Sequence, residues 1–382
     1  VTRFQREKRY GEEELQQLRE ALEQGTLFYA QGKKVFELER RFAEKLGATH
    51  AIASTSGTAA IHCAMMALGI SPGDEVIVPP ITDMGSIVPI LWQGAVPVFA
   101  DLDPHTYNLS PESVRDRISD KTCAVLAVHL AGNSCDLDAI KSICDERNIA
   151  LIEDCAQAHG CTYRGRSVGT FGRIGCFSFN EFKHISCGDG GICITDDDEL
   201  AHKLRLAGDK CYDRSPGAVS RNSTFLAGNY RMTELQAAVA LAQLGKLDSI
   251  IARRRSWCLR LHERLSGIAG LSLPKITAGC EHSWWFYVLR AADPDRFCGI
   301  LKTQGVPCVA HYIGKPIQEY PLFQNHSAFD HGDHPFSRRD YTKESTPIAK
   351  QILETCAIIH VNEGYTDDDL EHAVAAIKKA VT

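Results

Sequence analysis

The sequence contains no C-x-x-C cysteine pair, no long uninterrupted apolar run and no surplus of positive charge. Each absence excludes a class of protein. Its longest apolar stretches, Ala59 to Ile70 and Cys123 to Leu130, are short, and each carries a histidine (His62, His129), which argues against membrane insertion. A formal net charge of −6 offers no electrostatic footprint for nucleic acid. The opening residues Val1-Thr2-Arg3-Phe4-Gln5-Arg6 are charged and lack the apolar segment of a secretory signal, so a cytoplasmic location is expected. Internal repeats and low-complexity tracts are also missing.

Cysteine itself is abundant, at 15 residues. A disulfide scaffold is small and loop-rich, whereas this chain has 382 residues, 44% of them hydrophobic. The cysteines are therefore expected to be reduced thiols acting as small core residues, and their spacing predicts no metal site.

At this length two domains are expected. From about residue 57 to 200, short apolar runs (Val76-Ile77-Val78, Pro97 to Ala100, Ala124 to Val128, Ala150-Leu151-Ile152) alternate with helical patterns at Ala59 to Leu68, Pro111 to Ile118 and Leu137 to Arg147. That alternation predicts an α/β fold with a largely parallel sheet and ligands along one sheet edge. A long helical pattern from Met232 to Leu265 then leads into a smaller α/β unit. The expected partition is residues 1–245 and 246–382. Arg253, Arg254 and Arg255 are expected on a solvated face or subunit contact.

Two blocks carry chemistry. Ile152 to His159 ends a buried strand and delivers Asp154 and, three residues on, Gln157, with the small Ala156 between them. Phe177-Ser178-Phe179-Asn180-Glu181-Phe182-Lys183 delivers a hydroxyl and a lysine beside Gly188, Gly190 and Gly191. A carboxylate, a phosphate-binding hydroxyl and a lysine flanked by apolar residues are the groups that pyridoxal phosphate chemistry needs. Ser56-Gly57-Thr58, just before a helix, suits a phosphate dianion, although an N-cap of any helix looks the same. Asp154 alone could equally cap the next element, and His159 reads as a structural histidine bonded to a backbone carbonyl more readily than as a proton carrier.

Further motifs are Pro72-Gly73-Asp74-Glu75-Val76-Ile77-Val78-Pro79, Val128-His129-Leu130, Glu153 to Gly160, Gly175 to Phe179, and Asn229-Tyr230-Arg231-Met232-Thr233-Glu234-Leu235-Gln236. Jointly they are specific, and over most of its length the chain resembles the DegT/StrS sugar aminotransferases, within the fold type I pyridoxal-phosphate enzymes. The resemblance implies that Lys183 forms the Schiff base and moves the proton. Asp154 would pair with the pyridine nitrogen and Gln157 with the 3′ oxygen, while Ser56, Gly57, Thr58 and Ser178 would bind the phosphate. Asn229 would reach the phosphate from the neighbouring subunit of a homodimer. His311 and Tyr312 would face substrate.

Two positions depart from or test the family pattern. Asp83 stands where relatives place an aromatic residue over the cofactor. It either meets substrate, leaving Met84 or another apolar neighbour to cover the ring, or caps a helix starting near Gly85. Lys183-His184 resembles the His-His pair of related sugar dehydratases, but lysine holds the first position. The resulting expectation is a large, mostly parallel-sheet domain with a smaller C-terminal α/β domain. The expected activity transfers an amino group from glutamate or glutamine to a keto or aldehyde group of a sugar, nucleotide-sugar or cyclitol. The alternatives are a pyridoxal-phosphate sugar dehydratase and a non-catalytic cofactor-binding regulatory protein.

Overall fold

The computed structural model describes residues 3–219, 221–336 and 339–381. Val1 and Thr2 of the charged amino terminus, and Ser220, lie outside them.

Seven strands make the main sheet: β1 (His50–Ser54), β2 (Glu75–Val78), β3 (Val96–Phe99), β4 (Thr122–Val128), β5 (Ala150–Asp154), β6 (Ile174–Ser178) and β7 (Gly191–Thr195). They lie in the order β1-β7-β6-β5-β4-β2-β3. Strand β7 runs antiparallel to both its neighbours, and the other pairings are parallel. Successive side chains point to opposite faces, and both faces are covered. Ile77, Val125 and Leu151 pack with Phe42, Ile140, Leu241 and Leu244 on one side. Val76, Val78, Leu126 and Ile152 pack with Ile61, Met65, Ile87 and Leu204 on the other. This double burial is why the strands read as continuous apolar runs.

A second sheet holds β8 (Leu271–Ser272), β9 (Phe286–Ala291), β10 (Cys308–Ala310) and β11 (Cys356–His360) in the antiparallel order β8-β9-β11-β10. Strand β9 alternates in burial. Tyr287, Leu289 and Ala291 face a core made with the helices Pro294–Thr303 and Asp367–Val381.

The helix Glu234–Leu265 joins the two units. Thr233 and Gln236 form its capping box, which satisfies amide groups that the first turn leaves free. By length and composition it could cross a membrane. Its apolar residues are instead core: Leu241, Leu244 and Leu247 enter the large core, and Trp257, Leu261 and Leu265 the small one. The arginine run is not the solvated face that was expected. Arg254 is buried, paired with Glu363 at 2.8 Å, and Arg255 bonds the carbonyls of His282 and Gly160. Only Arg253 of the three stays mainly in solvent, against Glu7.

Packing crosses the expected 245/246 partition twice. Phe4 lies in the small core, with its amide on Asp369. Phe323, Phe336 and Tyr341 pack against the helix Gly57–Ala67 side of the main sheet, and the Tyr341 hydroxyl donates to the Pro97 carbonyl. All 15 cysteines are free and buried or partly buried.

Candidate active site

The parallel strands finish at one sheet edge, and the chemistry collects there. Strand β5 ends on Asp154, which is buried. Its Oδ2 accepts from the Ser86 hydroxyl at 2.7 Å and its Oδ1 from the Ala156 amide at 2.9 Å. Burial pushes the Asp154 carboxyl up, while Ser86, Ala156 and the Lys183 charge pull it back. Ser86 sits on the helix Met84–Trp92, so the carboxylate is oriented by an element the sequence had not linked to it.

Gln157 offers its Oε1 to the Ala131 amide at 2.7 Å. Its Nε2 makes no bond among the described residues and is free to donate. His159 donates from Nε2 to the Ser178 carbonyl at 2.8 Å and lies on Phe179. Burial lowers it to about 4, so it is neutral and structural, as expected.

The anion cradle is assembled from three strand ends. Ser54 and Ser178 are each paired with Gly191, which brings the turn after β1 against the end of β6. A Cβ on Gly191 would stand 2.1 Å from the Ser56 carbonyl oxygen, and one on Gly57 2.7 Å from the Ser178 Cβ. Only glycine permits this approach. Ser56 caps the helix Gly57–Ala67, its hydroxyl accepting from the Ala59 amide at 3.0 Å. The Gly57 and Thr58 amides have no bonding partner among the described residues. Two free N–H groups at a helix start, with the Thr58 and Ser178 hydroxyls beside them, form an anion site.

Lys183 follows a tight turn in which its amide donates to the Asn180 carbonyl at 2.9 Å. Its burial does not come from Phe182, which is 70% exposed. The Trp285 indole lies beside its amine instead, and Arg9 donates to the Lys183 carbonyl at 2.9 Å. Desolvation lowers the amine, against the opposing pull of Asp154 and Asp83. The ammonium lies 4.1 Å from the Trp285 ring centroid.

Asp83 caps the helix Met84–Trp92, accepting from the Gly85 amide at 2.7 Å. Its side chain stays exposed and acts electrostatically on Lys183, Tyr312 and Tyr320. Met84 packs against the core rather than standing free. Tyr312 is 51% exposed and edges Phe286 at the mouth of a cavity of about 370 Å³ lined also by Arg6, Arg9, Phe182 and Trp285. His311 does not line this cavity. Its ring nitrogens meet the Leu353 carbonyl at 3.0 Å and Asp295 at 3.2 Å. Asn229 is exposed and makes no side-chain bond among the described residues.

His129, Glu153 and Cys155 cluster behind the site in a set of metal-ligand type. The ligand atoms of His129 and Glu153 are already engaged. The Cys135 amide donates to His129 Nδ1, His129 Nε2 donates to Glu153 at 3.0 Å, and the amides of Gly169, Phe171 and Gly172 complete the Glu153 carboxylate. The cluster buttresses the end of β5.

Sequence reasoning missed Trp285, Ser86 and Ala131. Only Trp285 left a visible signal, as one of an adjacent tryptophan pair in a chain with four tryptophans. The groups present fit pyridoxal phosphate: a Cβ-intolerant anion cradle, a buried carboxylate, a free amide donor and a desolvated lysine.

Residues 8–378 match the family described as DegT/DnrJ/EryC1/StrS aminotransferase. The spore coat polysaccharide biosynthesis protein SpsC of Bacillus subtilis is 33% identical over 97% of this chain and 95% of its own length. GDP-perosamine synthase of Caulobacter vibrioides is 34% identical over 92% of this chain and 91% of its own. Among solved structures, an aminotransferase from Psychrobacter cryohalolentis superposes with a TM-score of 0.86 at 32% identity, covering 97% of this chain and 96% of that one. A 3-amino-5-hydroxybenzoic acid synthase gives a TM-score of 0.87 at 29% identity, covering 100% and 99%. The chain belongs to the DegT/DnrJ/EryC1/StrS aminotransferase family and is a fold type I, pyridoxal-phosphate-dependent enzyme.

Proposed function

We propose that this enzyme moves an amino group from glutamate or glutamine to a keto or aldehyde carbon of a sugar, nucleotide-sugar or cyclitol, in natural-product or polysaccharide biosynthesis. The observation that carries the reading is the desolvated Lys183 facing the buried Asp154 carboxylate, with the Gly57–Ser178 cradle alongside. The relatives named for polysaccharide and perosamine synthesis support the acceptor class. When bound, pyridoxal phosphate supplies a protonated ring that withdraws electrons from the carbon bearing the amine.

The residues divide the remaining work. Asp154 would hold the proton on the pyridine nitrogen, and the free Nε2 of Gln157 would donate to the phenolic oxygen. The Gly57 and Thr58 amides and the Thr58 and Ser178 hydroxyls would take the phosphate, with Ser56 shaping the helix start. Lys183 would attach the cofactor and, as a free amine, shuttle the proton at the reacting carbon. A lowered amine pKa suits that task, because more of the amine is unprotonated near neutral pH. Asn229, whose side chain has no bonding partner among the described residues, suits a contact to the partner subunit's phosphate, and we read the enzyme as a homodimer with shared sites, located in the cytoplasm. Asp83 and Tyr312 line the acceptor approach.

The test is a screen of keto-sugars, keto-cyclitols and nucleotide keto-sugars with the cofactor-loaded enzyme and each donor, read by mass spectrometry. Gain of an amine by an acceptor, with the donor converted to its keto acid, is expected. A deoxy-ketone formed with no amine gained would instead identify a dehydratase.

A further inference from the structure

Among the described residues no carboxylate makes a direct ion pair with Lys183, although Asp154 and Asp83 both act on it through space. The close partner of its ammonium is the Trp285 indole, 4.1 Å from nitrogen to ring centroid. That indole is fixed. It is 6% exposed, its Nε1 donates to the carbonyl of Phe182 at 2.7 Å, and its ring stacks on Phe286 at 3.9 Å. Its backbone amide donates to the Ala131 carbonyl at 2.9 Å. The Ala131 amide in turn donates to Gln157 Oε1 at 2.7 Å. Ala131 has φ +55°, a region alanine rarely occupies, so tertiary contacts hold this turn. One short relay thus sets both the indole beside the lysine and the amide of Gln157.

Resting on the reading of Lys183 given above, we infer that Trp285 is a positioning residue whose indole face holds the Lys183 ammonium whenever that amine is not joined to the cofactor. The chemistry favours this division of labour. A carboxylate in the same place would take the proton or pin the lysine in an ion pair. An aromatic face attracts the cation through its quadrupole yet offers no base and no directional bond, so the side chain leaves easily. Trp285 immediately precedes β9 of the small sheet, while Lys183 follows β6 of the main sheet, so the contact also registers the two units at the site.

The charged and titratable groups facing Lys183 are Asp154 and Asp83, which favour the ammonium, and His159 and His184, which burial keeps neutral. Arg9 meets the Lys183 carbonyl, and Arg254 lies behind the Trp285 carbonyl at 3.5 Å. None of these is altered by substituting the indole.

The test uses full-length protein cleared of cofactor and reloaded over a range of pH, with borohydride trapping and peptide mass spectrometry to follow attachment at Lys183. The midpoint of the attachment rate against pH reports ionisation of the free amine. Trp285→Leu should move that midpoint down by about one unit, a roughly tenfold gain in free amine below it. Trp285→Phe keeps an aromatic face and should move it by less, about threefold. Trp284→Phe, whose ring stacks on His282 rather than on Lys183, should leave it in place. If Trp285→Leu does not fold, the Trp285→Phe shift decides. An unmoved midpoint in the Trp285 variants, or an equal shift in Trp284→Phe, overturns the inference. Labelling of a lysine other than Lys183 in the unaltered protein overturns instead the reading on which it rests.

Discussion

Asp154→Asn should separate catalysis from stability, moving the two in opposite directions. The substitution preserves shape. An asparagine can still accept from the Ala156 amide, and its NH₂ can donate to Ser86 Oγ, which retains Thr82 as a partner at 2.8 Å. What disappears is the charge. Without the carboxylate nothing would hold the proton on the cofactor's pyridine nitrogen, so turnover should fall by at least about a hundredfold, about 2.7 kcal/mol in barrier. The stability change follows from the sign of the pKa shift. Burial raises the Asp154 carboxyl in the folded protein. A raised carboxyl contributes stability that is present below its unfolded value, about 3.9, and lost as pH rises through the folded value. Protein without cofactor should therefore lose stability with pH through that window, and the asparagine variant should lack this loss. Denaturant melts of both proteins at several pH values, beside steady-state turnover, check the two arms. The reasoning fails if the variant keeps more than about a tenth of wild-type turnover, a barrier change under about 1.4 kcal/mol. It fails also if the variant is the less stable protein near neutral pH.

Lys183→Ala should bind cofactor without covalent attachment, lose the yellow colour fixed by borohydride and lose nearly all turnover; persistence of a borohydride-stable adduct at one site would count against the assignment. Mixing Lys183→Ala with Asn229→Ala subunits should restore one intact site per heterodimer. Demonstrated subunit exchange with no return of activity would contradict shared sites. Asp83→Asn keeps the cap on Gly85 but removes the charge, so a raised acceptor KM with an unchanged donor half-reaction is expected, and unchanged kinetics in both halves would leave Asp83 as a cap alone.

The parts of the site that could be read from the sequence are those whose geometry is local. Asp154 and Gln157 are three residues apart after one strand, and Ser178 and Lys183 five apart after another, so each pair keeps its relation wherever the strands are placed. The parallel strands β2 to β5 were visible because burial on both faces removes polar residues from them. Strand β1, His50 to Ser54, has no such run; its small residues are held by antiparallel pairing with β7. Trp285, Ser86 and Ala131 reach the site from distant segments, through contacts with no signature in local periodicity. Arg254 was misread for a related reason. Three adjacent arginines point around a helix in different directions, and the one facing inward finds Glu363 more than a hundred residues away. The crossing of Phe4 into the small core and of Tyr341 onto β3 is equally nonlocal.

The single antiparallel strand in the main sheet has a chemical consequence. Parallel strands alone would bring the ends of β5 and β6 to one edge, placing Asp154 and Ser178, and leave the amino-terminal phosphate turn to find them through a flexible connection. Because β7 runs backwards, its first residue, Gly191, lies at that same edge and pairs with Ser178 on one side and Ser54 on the other. The helix start at Gly57 is thereby fixed to the sheet within contact distance of Ser178. A side chain on Gly191 would collide with the Ser56 carbonyl and push the two halves of the cradle apart. The anion site and the strand end that carries Asp154 are thus registered by backbone pairing. That arrangement leaves the surrounding loops free to differ between acceptors without disturbing the reacting groups.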